Sequence, residues 1–161
     1  MPTPFVPVPS KGQILGAGCT LSILGITGIV PAATAVPIGE LSDFRFASIK
    51  RATTTNTNFD SGQVVQKLGT TLDLGSLTGT YNRVSNNAGQ LALIAANSNG
   101  AAYDFQLQLT PNPLAGQTTT GDLYKMSGIV TEAGAFDLSQ TKVSSATFSI
   151  DLNSVVFTAG S

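Results

Sequence analysis

NNAGQLALIAANSNGAAYDFQLQL, residues 86–109, is the stretch on which the fold turns. Its first part is one apolar run, Ala88 to Asn97, between Asn-rich and Gly-rich flanks. Asn86 or Asn87 has the side-chain oxygen that caps a helix, and Gly100 can take the left-handed conformation that ends one. The second part, Ala102 to Leu109, alternates strictly. Tyr103, Phe105, Leu107 and Leu109 fall on one face of a strand, and Asp104, Gln106 and Gln108 on the other. A short helix, at about Asn87–Asn97, therefore hands the chain directly to a half-buried strand.

Working outward, the pattern stays β. Upstream, Leu72 to Val84 alternates with a slip near Gly75 and Ser76, which suggests a bulge. Downstream, the turn-rich Pro111 to Gly121 leads to two long strands, Asp122 to Phe136 and Lys142 to Phe157. In the last of these Phe148, Ile150 and Leu152 oppose Thr147, Ser149 and Asp151. Val36 to Lys50 reads as a strand pair or one long bent strand, with Phe44 and Phe46 facing one way and Asp43 and Arg45 the other. Ala52 to Thr71 is long, polar and rich in Thr and Asn, and a loop of that length inside a compact domain is usually functional.

The N-terminal third carries no charge between Lys11 and Glu40. A secretory signal would begin with basic residues and a compact apolar core. This chain begins MPTPFVPVPS, with four prolines ahead of its first lysine, and glycines at 16, 18, 25 and 28 interrupt the apolar run. The expectation is one or two buried strands with turns at Gly25 and Gly28, and neither a leader nor a membrane helix. Residues 1–12 form an extended Pro-rich arm, unsuited to helix and poor at strand. The whole, 1–161, is read as one mainly β domain: an antiparallel β-sandwich or barrel with one short α-helix and a long inter-strand loop.

Composition narrows the function more by exclusion than by signature. Charged residues make up 11% of the 161, well below the roughly 25% usual in soluble domains, so the surface is polar without being charged. The net charge of −1 gives no electrostatic reason to grip nucleic acid or an acidic membrane. The chain has no histidine, which removes the usual general base and the usual zinc ligand. Cys19, alone in an apolar context, reads as a small buried thiol. No phosphate-cradling, dinucleotide or nucleophile-elbow motif occurs. The nine acidic residues are scattered singly and mostly alternate with apolar neighbours, as on solvated strand faces. Lys50, Arg51, Lys67 and Arg83 lack the interleaved aromatics of a nucleic-acid surface.

The layout resembles a known family. The segment GTTLDLGSLTGTYNRVSNNAGQLALIAANSNGAAYDFQLQL is similar to the centre of the major tail tube proteins of long-tailed (siphovirus-type) bacteriophages. There a D-x-G strand leads through an Asn/Asp-containing turn to a short Q-x-L-L-x-A helix and an alternating strand such as F-x-I-x-L. Asp73-Leu74-Gly75, Tyr81-Asn82, Gln90 to Ala96 and Phe105 to Leu109 occupy those places. Tyr124 to Phe136 resembles the family's F-x-G-x-V-T strand, and Lys142-Val143 with Ala146 to Leu152 its final strand. Ser10-Lys11-Gly12 is similar to its opening K-G element. The Pro-rich arm, the charge-free run and the Thr/Asn loop depart from the pattern.

The resemblance implies a structural subunit, not an enzyme, without cofactor or metal. It implies stacked homohexameric rings forming a hollow conduit, through which genome DNA passes without specific binding. The implied partners are the subunit itself and the tape measure, tail terminator and tail tip proteins, with no membrane. The implied location is the tail of a virion assembled in the host cytoplasm. In such tubes a long loop reaches the adjacent ring and the termini help join rings. On this sequence the loop is 52–70, with Thr53, Thr54, Thr55, Asn56, Thr57, Asn58, Phe59 and Asp60 as its contacts. The arm offers Pro4, Phe5, Val6, Pro7 and Val8. The alternatives are an exported fimbrial or adhesin-type subunit, and a carbohydrate-binding β-sandwich that would have to work without tryptophan. A secretion-system tube subunit shares the same ring logic.

Overall fold

The computed structural model describes residues 18–29, 34–47, 49–55, 67–136 and 143–161. In chain order they form β1 (Thr20–Ile26), β2 (Val36–Pro37), β3 (Leu41–Phe46), β4 (Lys50–Thr55), β5 (Lys67–Asp73) and β6 (Ser76–Asn82). Helix α1 (Ala88–Asn99), β7 (Ala102–Gln108), a one-turn 3-10 helix (Pro113–Ala115), β8 (Leu123–Phe136) and β9 (Ser145–Thr158) follow. Seven strands make one antiparallel sheet in the order β2-β1-β7-β8-β9-β6-β3, and β4 and β5 pair separately as a ribbon.

The alternation read from the sequence sets the two faces of the sheet. Phe105 and Leu107 of β7, and Phe148, Ile150 and Leu152 of β9, are buried with Leu21, Ile23, Leu77 and Tyr81. Phe44 and Phe46 pack against this core while Asp43 and Arg45 are exposed, as expected. Burying each such side chain contributes about 1.5–3 kcal/mol.

The sheet curls almost into a barrel. β2 and β3 sit at its opposite edges, yet only Ile38, Gly39 and Glu40 separate them in the chain. Ile38 N donates to Leu21 O at 2.8 Å, and Asn82 N donates to Glu40 O at 2.8 Å, so this short link ties the two edges together. Phe46 at one edge also meets Tyr124 of β8, with ring centroids 5.8 Å apart. Bulges supply the curvature. Between β8 and β9 the register shifts at Ser127/Gly128, Val130/Glu132 and Ala133/Phe136. At the first, Ser127 pairs with Ser154 and Gly128 with Leu152, so Asn153 is skipped. The inward-facing positions therefore change from the even Leu152 to the odd Val155.

Helix α1 begins and ends where the caps place it. Asn87 Oδ1 accepts from Gln90 N at 3.0 Å, and Gly100, at φ 69°, donates its N–H to Ala96 O at 3.1 Å. Leu93 and Ala96 enter the core, and the helix packs on β8, β1 and β2 at one end of the barrel. Gln90, read from the sequence only as a place in a motif, is 1% exposed and braces three strand ends. Its Oε1 accepts from Val84 N (3.0 Å), and its Nε2 donates to Gly39 O (3.1 Å) and Asn82 O (2.9 Å).

Three expectations are corrected. The polar stretch 52–71 is not loop throughout: its described ends form the ribbon, with Thr53 opposite Gly69 and Thr55 opposite Lys67, and 56–66 lie outside the described residues. Threonine runs favour extended pairing, and the polarity that suggested a loop reflects a ribbon solvated on both faces. The stretch 72–84 is not one bulged strand either. Asp73 Oδ1 accepts from Gly75 N at 2.8 Å, and Gly75 sits at φ 72°, so a turn sends β5 into the ribbon and β6 into the main sheet. In the N-terminal third the turn falls at Thr27 and Gly28, whereas Gly25 lies within β1 at an irregularity of register. The arm, 1–12, lies outside the described residues.

Candidate assembly surfaces

The described residues hold little that reacts. No group of three or more His, Cys, Asp or Glu among them is arranged to hold a metal ion, and no described helix is long and apolar enough to cross a membrane. Cys19 is half-buried beside Thr110, Sγ to Oγ1 3.9 Å. The surfaces that stand out are geometric: a ribbon, a strand edge and a polar sheet face.

All thirteen residues of β4 and β5 are exposed. A two-stranded ribbon is marginal on its own in water, which makes this one a candidate assembly contact. Leu68 and Leu72 are half exposed on it, an apolar component that solvent does not explain. Its charge is also lopsided: Lys50, Arg51 and Lys67 stand against Asp73 alone. The rest of the described surface is the reverse, with Arg45, Arg83 and Lys125 against Glu40, Asp43, Asp104, Asp122, Glu132 and Asp151. Of the eight sequence-predicted loop contacts, Thr53, Thr54 and Thr55 lie in β4, and Asn56 to Asp60 lie outside the described residues. Pro4, Phe5, Val6, Pro7 and Val8 also lie outside them.

Strand β3 has β6 on one side and no strand on the other among the described residues, so its outer backbone groups are available for pairing. The convex face of the sheet is lined by hydroxyls and amides held in short bonds. Ser127 Oγ lies 2.7 Å from Ser154 Oγ, Ser42 Oγ 2.8 Å from Thr80 Oγ1, and Thr147 Oγ1 donates to Glu132 Oε1 at 2.7 Å. The opposite end of the barrel from α1 is apolar: Phe44, Phe46, Ile49, Leu74, Leu109 and Tyr124 border an open groove of about 330 Å³.

No family model matches the chain, and no curated protein sequence does. Solved structures match along its whole length. The sheath–tube complex of an extracellular contractile injection system, PVC, in its extended state is 14% identical with a TM-score of 0.64, over 92% of this chain and 93% of that one. The tube-terminating cap of the anti-feeding prophage is 13% identical with a TM-score of 0.65, over 99% of this chain and 100% of that one. The SPP1 tail tube is 14% identical with a TM-score of 0.58, over 94% of this chain and 80% of that one. The fold is that of tail tube proteins.

Within the tail tube fold the identities of 13–14% have a plain reading. The fold constrains alternation, bulge positions and the helix bracket, and many side chains satisfy those demands. Sequence reasoning missed the groove and the tie between the sheet edges. The one legible hint of the tie was the brevity of the link from Pro37 to Leu41; the groove joins side chains from four strands and had no local signature.

Proposed function

We propose that this chain is the structural subunit of a phage tail tube, assembling into stacked hexameric rings around a conduit for genome DNA. The reading is carried by the whole-length likeness to solved tube and cap components, coupled to a ribbon exposed on every residue. A free β3 edge supports ring closure, because pairing with a neighbouring copy removes an edge that is otherwise an aggregation hazard. The ribbon is the element that reaches the next ring. A conduit must not hold DNA, since each phosphate contact adds drag, and the hydroxyl-rich sheet face, where Asp43, Asp104, Glu132 and Asp151 outnumber Arg45 and Lys125, is suited to line it. The partners in this reading are other copies of the chain and the tape measure, terminator and tip proteins of a tail assembled in the host cytoplasm.

Electron microscopy of the concentrated protein tests this. Six-fold rings or tubes with a central channel are expected, and a monodisperse monomer at high concentration refutes the proposal. A second reading has its own support, since two of the similar structures come from a contractile injection system and an anti-feeding prophage. A tube enclosed by a contractile sheath in native particles would select it; a bare tube joined to a DNA-filled capsid selects the phage.

A further inference from the structure

The apolar groove at the open end of the barrel has a shape and a chemistry that suit one occupant. Three aromatics line it, Phe44, Phe46 and Tyr124, and Tyr124 stands between Phe46 and Phe157 with centroids at 5.8 Å and 5.2 Å. Phe157 and the rim residue Ile49 are 54% and 57% exposed. None of the described residues that border the groove is charged. A contiguous exposed patch of this kind marks a binding surface, and its volume of about 330 Å³ is that of a small recognition pocket.

The segment MPTPFVPVPS matches it in three respects. A sequence with prolines at 2, 4, 7 and 9 favours polyproline II, for which little ordering entropy is lost on docking and no ladder of backbone hydrogen bonds is needed. Pro4-Phe5-Val6-Pro7 has the P-x-x-P spacing that aromatic-lined grooves recognise. The segment is free of charged side chains, as the groove is. Position agrees as well. Gly18, where the described chain begins, abuts Thr110, and a Cβ there would lie 3.0 Å from Thr110 Oγ1. Thr110 follows Leu109 on the groove's border, so the chain enters the barrel at the groove's own end. The eight residues from Ser10 to Ala17 span up to about 25 Å when extended, enough to return to this groove or reach that of an adjacent copy.

We infer that this groove is the seat of the Pro-rich segment Pro4–Pro9, in the same or an adjacent copy. The inference goes beyond the tube reading and can be tested separately from it. The chain has no tryptophan, so Phe5→Trp in the full-length protein is a single reporter. Docking shifts its emission to the blue and shields it from acrylamide, either at all concentrations or with an onset as copies meet. Ile49→Asp, on the exposed rim, reverses both effects while leaving the far-ultraviolet dichroism and melting midpoint unchanged. Leu91→Asp, exposed on α1 at the other end, reverses neither. An indole as exposed as in the free ten-residue peptide at every concentration overturns the inference, as does equal loss of the shift in both aspartate variants. Mild oxidation gives a second measure. With Cys19→Ala, the pair Val6→Cys and Ile49→Cys forms a disulfide, within one chain or between two, faster than Val6→Cys with Leu91→Cys; equal rates overturn it. Normal tubes with an exposed indole would remove the groove assignment and keep the tube, and docking in a protein that never polymerises would do the converse.

Discussion

Replacing Gln90 by leucine keeps the size of the side chain and removes all three bonds by which it braces the barrel. The Val84 N–H loses its acceptor, and the carbonyls of Gly39 and Asn82 lose a donor. A buried polar group left without a partner costs about 1–3 kcal/mol. These three sites are only partly buried, so the low end of that range applies, about 3 kcal/mol in total. Leucine recovers about 1 kcal/mol through burial of its extra apolar surface. The net expectation is a loss of about 2 kcal/mol, or a melting midpoint lower by about 4–8 °C for a domain of this size. Gln90→Glu should be worse, by about 1–2 kcal/mol, because a carboxylate keeps the acceptor for Val84 but repels two carbonyls it can no longer bond. Urea titrations followed by circular dichroism measure both. A Gln90→Leu variant within 0.5 kcal/mol of the parent, at unchanged denaturant slope, would falsify the claim that this side chain ties helix and sheet edges together.

Tyr81→Phe tests the opposite sign. The Tyr81 hydroxyl is fully buried and has no hydrogen-bond partner among the described residues, so its removal should be neutral or stabilise by up to about 2 kcal/mol; a clear drop in thermal midpoint would mean the hydroxyl has a partner after all. Deleting residues 53–60 should leave the subunit folded, by dichroism and gel filtration, while abolishing ring stacking in electron micrographs, and normal tubes from that protein would sink the ribbon assignment. The opposite charge balance of ribbon and body makes assembly salt-sensitive, because contacts between exposed charges are screened within about 10 Å at 0.1 M salt. Light scattering should therefore report weaker polymerisation as sodium chloride rises, and Arg51→Glu with Lys67→Glu should reproduce that loss at low salt; indifference to both refutes an electrostatic contribution.

Local signals in the sequence were reliable wherever one side chain acts on its own neighbourhood. Asn87 and Gly100 delimited α1, and strict alternation assigned the faces of β7 and β9, because capping and pleating are decided within a few residues. The ribbon was misread because polarity distinguishes solvated from buried backbone, not loop from strand. The break at Gly75 looked like a bulge since both a bulge and a turn use a left-handed glycine. Tertiary features were the least legible. That Val36–Pro37 and Leu41–Phe46 occupy opposite sheet edges depends on β1 and β6, and beyond its brevity the link between them carries no sign of it.

The place of β9 in the sheet has a consequence for how the subunit is made. β9 lies between β8 and β6, and it is the last of these strands to leave the ribosome. Until it arrives, β1, β7 and β8 can pair with one another, but β6 and β3 have no hydrogen-bonded route to them. Pairings that join Ser76 with Asp151, or Thr20 with Gln108, place the subunit among slow, non-local folders. The β3 edge therefore takes its place in the sheet only once synthesis has passed β9. In the tube reading proposed above, chain growth itself would then act as a timer, keeping half-made subunits from being captured at the growing end of a polymer.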